Sequence, residues 1–235
     1  MNLATEPYMD QAARWPRDGR HILAYHDAET VIVYQAYRPS IAAHAIRYGA
    51  FGGDFSYARM SWIKPNFMWM MYRSGWGTKE DQEAVLGLRL RRTFFDDILA
   101  RAVASTFGAS GFSSHREWAA AGANSDVRLQ WDPDHDPHGR PLSRRAIQLG
   151  LKGAVLEAFG RRELIDVIDM TAFVAAQRDE LRRTGLTQLR TPVEQTYVPG
   201  DAAVAARLML DTQAGLPGIA PTMMDGRAAR QGTGC

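Results

Sequence analysis

The sequence has little that would tie it to a disulfide scaffold, a membrane or a familiar nucleotide loop. Its one cysteine, Cys235, stands last, so no intrachain disulfide framework or cysteine-based zinc site is expected. That fits a reducing compartment. No apolar run approaches the ~20 residues of a membrane-spanning helix. The stretch MNLATEPYMDQAARWPRDGRH lacks the apolar centre of a signal peptide. The expectation is a cytoplasmic protein with no membrane partner. Net charge is only +2, too small to argue for nucleic acid by itself. G-x-G-x-x-G after a strand, G-x-x-x-x-G-K-[ST] and G-x-S-x-G are all missing, which removes the main support for Rossmann, P-loop and hydrolase readings.

What is present suits a single globular domain: 235 residues, 46% hydrophobic and 23% charged, enough to bury a core without staples. Val31–Tyr37 reads as a strand, β-branched and aromatic after a turn at Asp27–Glu29. Ile22–Tyr25 is its expected hairpin partner. A helix follows Pro39, with Ser40 as N-cap and Gly49 as stop. FMWMMYR is a buried helix or strand with Pro65 at a helix N1 position. Ala84–Leu90, Val127–Trp131 and Arg145–Leu151 read as strands. Helices are expected from Thr93, after Ser114 in the capping pattern Ser114-x-x-Glu117, and from Gly153. Short strands irregularly mixed with helices argue for an α+β domain, with a mixed or antiparallel sheet and flanking helices. Val31–Tyr37 and Arg145–Leu151 are expected in one sheet. The division is a lead-in over 1–20, one domain over 21–212 and a flexible tail over 213–235.

Chemistry concentrates in Arg59–Lys79, RMSWIKPNFMWMMYRSGWGTK. Three Trp and four Met share it with Arg and Lys. Trp wants a partner for its N–H, and cations are rarely buried unpaired. A stretch rich in both lines a pocket or interface, or else is an apolar helix with solvated ends. At least two of Trp62, Trp69 and Trp76, with Arg59 or Arg73, are expected at one concave site. Upstream, the strand end Gln35-Ala36-Tyr37-Arg38 and the turn at Phe51-Gly52 offer backbone groups and an aromatic face to a flat, amide-bearing ring. Arg38, Arg59 and Arg73 are candidates for phosphates. Gln148, a polar amide inside an apolar strand, needs a partner if buried. Asp132-Pro-Asp134-His135-Asp136-Pro-His138 alternates acids as a calcium loop does, but Pro137 stands where that loop needs Gly and no Glu follows. An acidic turn is the plainer reading, and no metal is assigned.

Several stretches together resemble a bacterial and fungal family known as a domain of unknown function. They are Val33–Tyr37, Arg59-Met60-x-Trp62-Ile63-Lys64-Pro65, Trp69–Gly77 with Lys79, Gln130-Trp131-Asp132-Pro133 and Arg145-x-Ile147-Gln148-x-Gly150-Leu151. The match covers about residues 20–180. The first strand, its helix and the Gly-x-Phe turn also resemble the opening of ADP-ribosyltransferase domains, although a His-Gly or Arg-Gly pair and a Glu beside Gln148 are lacking. That resemblance implies NAD as substrate and transfer of ADP-ribose to an unknown acceptor. Gln148 and Gln35 would be the catalytic positions. Tyr37, Arg38, Phe51, Arg59, Trp62, Lys64, Trp69, Arg73, Ser74, Trp76 and Lys79 would hold the nucleotide. Aromatics interleaved with Arg and Lys also suit nucleic-acid binding, and a non-catalytic interaction domain is the third alternative.

Overall fold

A computed structural model describes residues 3–211. The strands are β1 (Thr5–Pro7), β2 (Gly19–Arg20), β3 (Ile22–Ala24), β4 (Thr30–Tyr37), β5 (Ser61–Ile63), β6 (Ala84–Arg91), β7 (Val103–Ala104), β8 (Val127–His135), β9 (Pro141–Leu151), β10 (Leu164–Asp169), β11 (Arg190–Pro192) and β12 (Gln195–Tyr197). The helices are α1 (Tyr8–Arg14), α2 (Pro39–Tyr48), α3 (Phe67–Ser74), α4 (Arg92–Arg101), α5 (His115–Ala123), α6 (Gly153–Arg161), α7 (Thr171–Thr184) and α8 (Ala202–Arg207). This is the α+β arrangement expected, antiparallel in its main pairings. No described helix is long and apolar enough to cross a membrane.

Two sheets matter for the site. One has the order β10-β6-β4 and is antiparallel throughout. Val31 and Val33 of β4 enter one apolar cluster with α2, α4 and α6. Ile32 and Tyr34 enter a second cluster with α3 and α1. A strand covered on both faces reads as an unbroken apolar run, which is why VIVY carries no alternation. The other sheet has the order β2-β9-β8-β7, with β5 added along β9. Its inner face, Val127, Leu129, Ile147, Leu149 and Leu151, closes the first cluster. The opposite face carries Gln130, Asp132, Gln148 and Gly150, paired across β8 and β9 as Gln130↔Gln148 and Arg128↔Gly150.

The expectation that Val31–Tyr37 and Arg145–Leu151 share one sheet is corrected. Both are strands, but in different sheets joined by a stitch. Trp62 and Ile63 pair with Gly150 and Leu149 on β9. One residue later Lys64 bridges to β4: its N–H donates to the Tyr34 carbonyl at 3.2 Å, and its carbonyl accepts from the Tyr34 N–H at 2.7 Å. Pro65 has no N–H to continue the pairing. Asn66, not Pro65, opens α3, its side chain accepting from the Trp69 N–H at 2.6 Å.

Other local readings also shift. The turn at Asp27 joins β3 to β4 with a bridge at His26↔Val31, while β3 pairs along its length with β12. Pro39, rather than Ser40, leads α2, and Gly49 ends it in the left-handed conformation, φ 65°. The expected loop after Trp131 is strand as far as His135. Pro133 is tolerated there because the ladder slips at Pro133–His135 and β7 pairs only with Arg128 and Leu129. The lead-in is docked: Tyr8 and Trp15 are buried. The Gln11 side chain donates to the Thr191 hydroxyl at 2.9 Å and accepts from the Glu194 N–H at 2.8 Å. Those partners lie some 180 positions away, beyond any local pattern. The tail expected over 213–235 lies outside the described residues.

Candidate functional site

Where the two sheets part, a cavity of about 560 Å³ opens between the end of β4, the Asp54–Lys64 segment and α3. Seven of the residues singled out from the sequence line it: Gln35, Tyr37, Arg38, Arg59, Trp62, Lys64 and Arg73. They come from three stretches of chain, brought together by the β5 stitch. Trp62 lies against β9 because Gly150 opposite it has no side chain. A Cβ there would come within 2.5 Å of the Met60 sulfur and 3.0 Å of the indole.

The floor is a small polar network. The Gln35 amide donates to the Ser61 hydroxyl at 2.8 Å and to the Trp62 carbonyl at 3.1 Å. Ser61 also shares a hydrogen bond with the Tyr37 phenol, 2.8 Å apart. Burial holds that phenol well above its ordinary pKa, so it stays protonated. The Gln35 side-chain oxygen is buried and has no partner among the described residues, an acceptor available to a ligand's N–H or O–H. Ser61 is the unspecified position within the Arg59–Pro65 stretch, and nothing local in the sequence marks it.

Cations dominate the walls. Arg38, Arg59, Lys64 and Arg73 face two carboxylates, Asp54 and Asp81. Arg38 reaches Asp81 at 3.4 Å across exposed surface, a pairing that contributes little. Lys64 is 6% exposed and makes no ion pair among the described residues. Among the described residues its ammonium hydrogen-bonds only the Trp62 carbonyl, at 3.4 Å. Burial, and then the Arg73 guanidinium, bring its pKa down to about 7, against the opposing pull of Asp132.

The remaining residues fall elsewhere. Gln148 is buried outside the cavity lining, its amide donating to Asp132 Oδ2 at 2.7 Å. The Gln130 amide donates to Asp132 Oδ1 at 3.1 Å. Two amides thus hold the carboxylate whose charge acts on Lys64. Phe51 is stacked on Phe55 and Phe159 behind the wall. Trp69 is buried against Tyr72 and His135, with the Arg73 guanidinium 5.8 Å from its ring. The Ser74 hydroxyl donates to the Met70 carbonyl at 2.9 Å. Trp76, left-handed at φ 57°, donates to the Pro137 carbonyl at 3.2 Å. Lys79 caps the end of α3 by donating to the Arg73 carbonyl at 2.6 Å. Both expected arginines therefore border the cavity, but Trp62 is the one of the three expected tryptophans that does. Trp69 is taken up by its stack with Tyr72 and His135, and Trp76 by Pro137.

The acidic stretch after Trp131 spends its groups internally. Asp134 pairs with Arg144 at 2.6 Å, both nearly inaccessible. Asp136 accepts from the N–H groups of His138 and Arg140, each at 2.9 Å. A second cavity, of about 580 Å³, lies between Trp15, His21, Tyr197 and Asp211, where the described chain ends.

A family model described as a domain of unknown function, DUF4291, matches residues 21–197. No curated protein matches the chain.

Proposed function

The chain belongs to the DUF4291 family, and we propose that the cavity between β4 and α3 binds a nucleotide-like ligand, with NAD as the expected one. A single observation carries this reading. Three arginines and a buried lysine converge on one cavity that also presents an indole, a phenol and an unpartnered amide oxygen. Guanidinium groups suit phosphates. The face of Trp62 suits a base or nicotinamide ring. The free Gln35 oxygen suits a carboxamide N–H or ribose hydroxyl. The reaction expected is cleavage of the nicotinamide–ribose bond with transfer of ADP-ribose to an acceptor. Its oxocarbenium-like state calls for negative charge at the ribose; Asp132, outside the cavity lining but near enough for its charge to act on Lys64, is the carboxylate we assign to this role. Gln148 becomes a positioning residue that acts through Asp132. The buried Trp69 weakens the nucleic-acid alternative, since it offers no open face to a base.

The test measures melting shifts with NAD, ADP-ribose and AMP, and NAD consumption, in wild type, Arg73→Ala and Gln148→Ala. A shift of several degrees, reduced in Arg73→Ala, is expected. Gln148→Ala should turn over NAD roughly ten- to a thousandfold more slowly, with stability lower by about 1 kcal/mol. No shift with any nucleotide would refute the reading. A shift without NAD consumption would leave a binding protein that does not react with its ligand.

A further inference from the structure

The cavity uses arginine three times, and lysine once, as the most buried of its four cations. The chain has three lysines, Lys64, Lys79 and Lys152, so a lysine in such a place is not a default cation. Guanidinium stays charged in proteins and grips oxyanions bidentately. An amine grips them less well but can lose its proton and become a nucleophile. Lys64 stands where that difference counts. It has no carboxylate within ion-pair distance among the described residues, and its amine shares the Trp62 carbonyl with the Gln35 amide. The same cavity holds an acceptor without a donor among the described residues, the Gln35 side-chain oxygen.

We propose that Lys64 is a nucleophilic amine that captures the carbonyl carbon of a phosphorylated aldehyde or ketone as an imine. The neutral amine's lone pair forms the C–N bond while the carbonyl π pair moves to oxygen. A proton passes from nitrogen to that oxygen, giving a carbinolamine whose O–H can donate to the Gln35 oxygen. Water then leaves, and the C=N bond forms. No oxidant or reductant is required. Arg59 and Arg73 hold the phosphate, so the inference rests on the anion site of the preceding reading but not on the ligand being NAD. Ring-opened ADP-ribose, an aldehyde on a diphosphate, belongs to the same class. The charged and titratable groups around the amine are Arg59, Arg73, Arg38, Tyr37, Asp54 and Asp81 about the cavity, and Asp132 from β8. Burial, and then the Arg73 guanidinium, outweigh Asp132 and keep the amine neutral in a fraction useful near pH 7.

Pyridoxal 5′-phosphate is a suitable probe, being an aromatic aldehyde with a phosphate. The intact protein is incubated with it at pH 7.5, reduced with borohydride and mapped by peptide mass spectrometry. ADP-ribose is the competitor, and pyridoxal is the control without phosphate. Lys64 should be modified at a probe concentration at least tenfold lower than Lys79 and Lys152, and pyridoxal should be far weaker. Protection by ADP-ribose would support both the imine and the nucleotide reading. Preferential Lys64 modification without protection supports the imine and counts against the nucleotide. Modification of Lys64 no faster than of the other two lysines overturns the proposal, even if nucleotides shift the melting temperature. Lys64→Arg, which keeps the charge, should abolish the preferential site while leaving the slow labelling of Lys79 and Lys152 unchanged.

Discussion

Replacing Lys64 by methionine should alter stability in a way that depends on pH. Methionine keeps an apolar stem of similar length and removes the amine. The folded protein holds that ammonium at about 7, first through burial and then through Arg73, against an ordinary 10.5. Between those pH values the unfolded chain binds a proton that the folded chain does not. Wild-type stability therefore rises with pH across the window, by up to about 1.4 kcal/mol per pH unit. Below about pH 7 both states are protonated, and the fold bears the whole cost of housing the charge, about 5 kcal/mol by the same conversion. The cost falls to about 4 kcal/mol at pH 7 and about 2 kcal/mol at pH 9, and it vanishes above the unfolded value. Lys64→Met escapes it. Its stability relative to wild type should thus fall by about 2 kcal/mol from pH 7 to pH 9, equivalent to about 4–8 °C in Tm for a chain of this size. Any constant offset from the change in shape cancels in that difference. Urea denaturation of both proteins at pH 6, 7, 8 and 9, followed by tryptophan fluorescence, measures it. A gap that stays constant within about 0.5 kcal/mol, or that widens with pH, would show that the amine is not depressed and would remove its claim to be a nucleophile.

Two further expectations concern buried polar groups away from the cavity. Arg144→Met removes the ion-pair partner of Asp134, with both partners now nearly inaccessible, so denaturation should show a loss of about 3–5 kcal/mol; a loss under about 1 kcal/mol would mean that water reaches the pair. Glu194 is buried, its carboxyl accepting from the Phe67 N–H at 2.7 Å, and burial lifts its pKa well above 4.5. Above pH 4.5 the unfolded glutamate ionises while the folded one keeps its proton, so wild type loses stability as pH rises. The advantage of Glu194→Gln should grow from pH 4.5 to pH 7, and a flat difference would show an ionised carboxyl in the fold.

Much of the local structure was legible in the residues themselves. A β-branched run marked β4, the pattern Ser114-x-x-Glu117 marked α5, whose Ser114 hydroxyl accepts from the Glu117 N–H at 3.2 Å, and Gly49 marked the end of α2. These signals are local, set by backbone preference and by which residues share one face of one element. The grouping of Gln35, Arg38, Arg59, Lys64 and Arg73 was legible too, because composition concentrated cations and aromatics in two short stretches. Tertiary structure decided the rest. Periodicity does not say which neighbour covers a face, so Phe51, Trp69 and Trp76 had equal standing with Trp62 until packing placed the first two in the core and tied the third to Pro137. Gln148 was recognised as an amide needing a partner, but its partner, Asp132, is fixed by the β8–β9 register sixteen positions back. The stitch that carries Trp62 on β9 and Lys64 on β4 joins two sheets within three residues. It depends on hydrogen bonds to strands about thirty and ninety positions away in the chain. Only the folded chain brings those backbone groups together, and with them the buried amine that gives the cavity its chemistry.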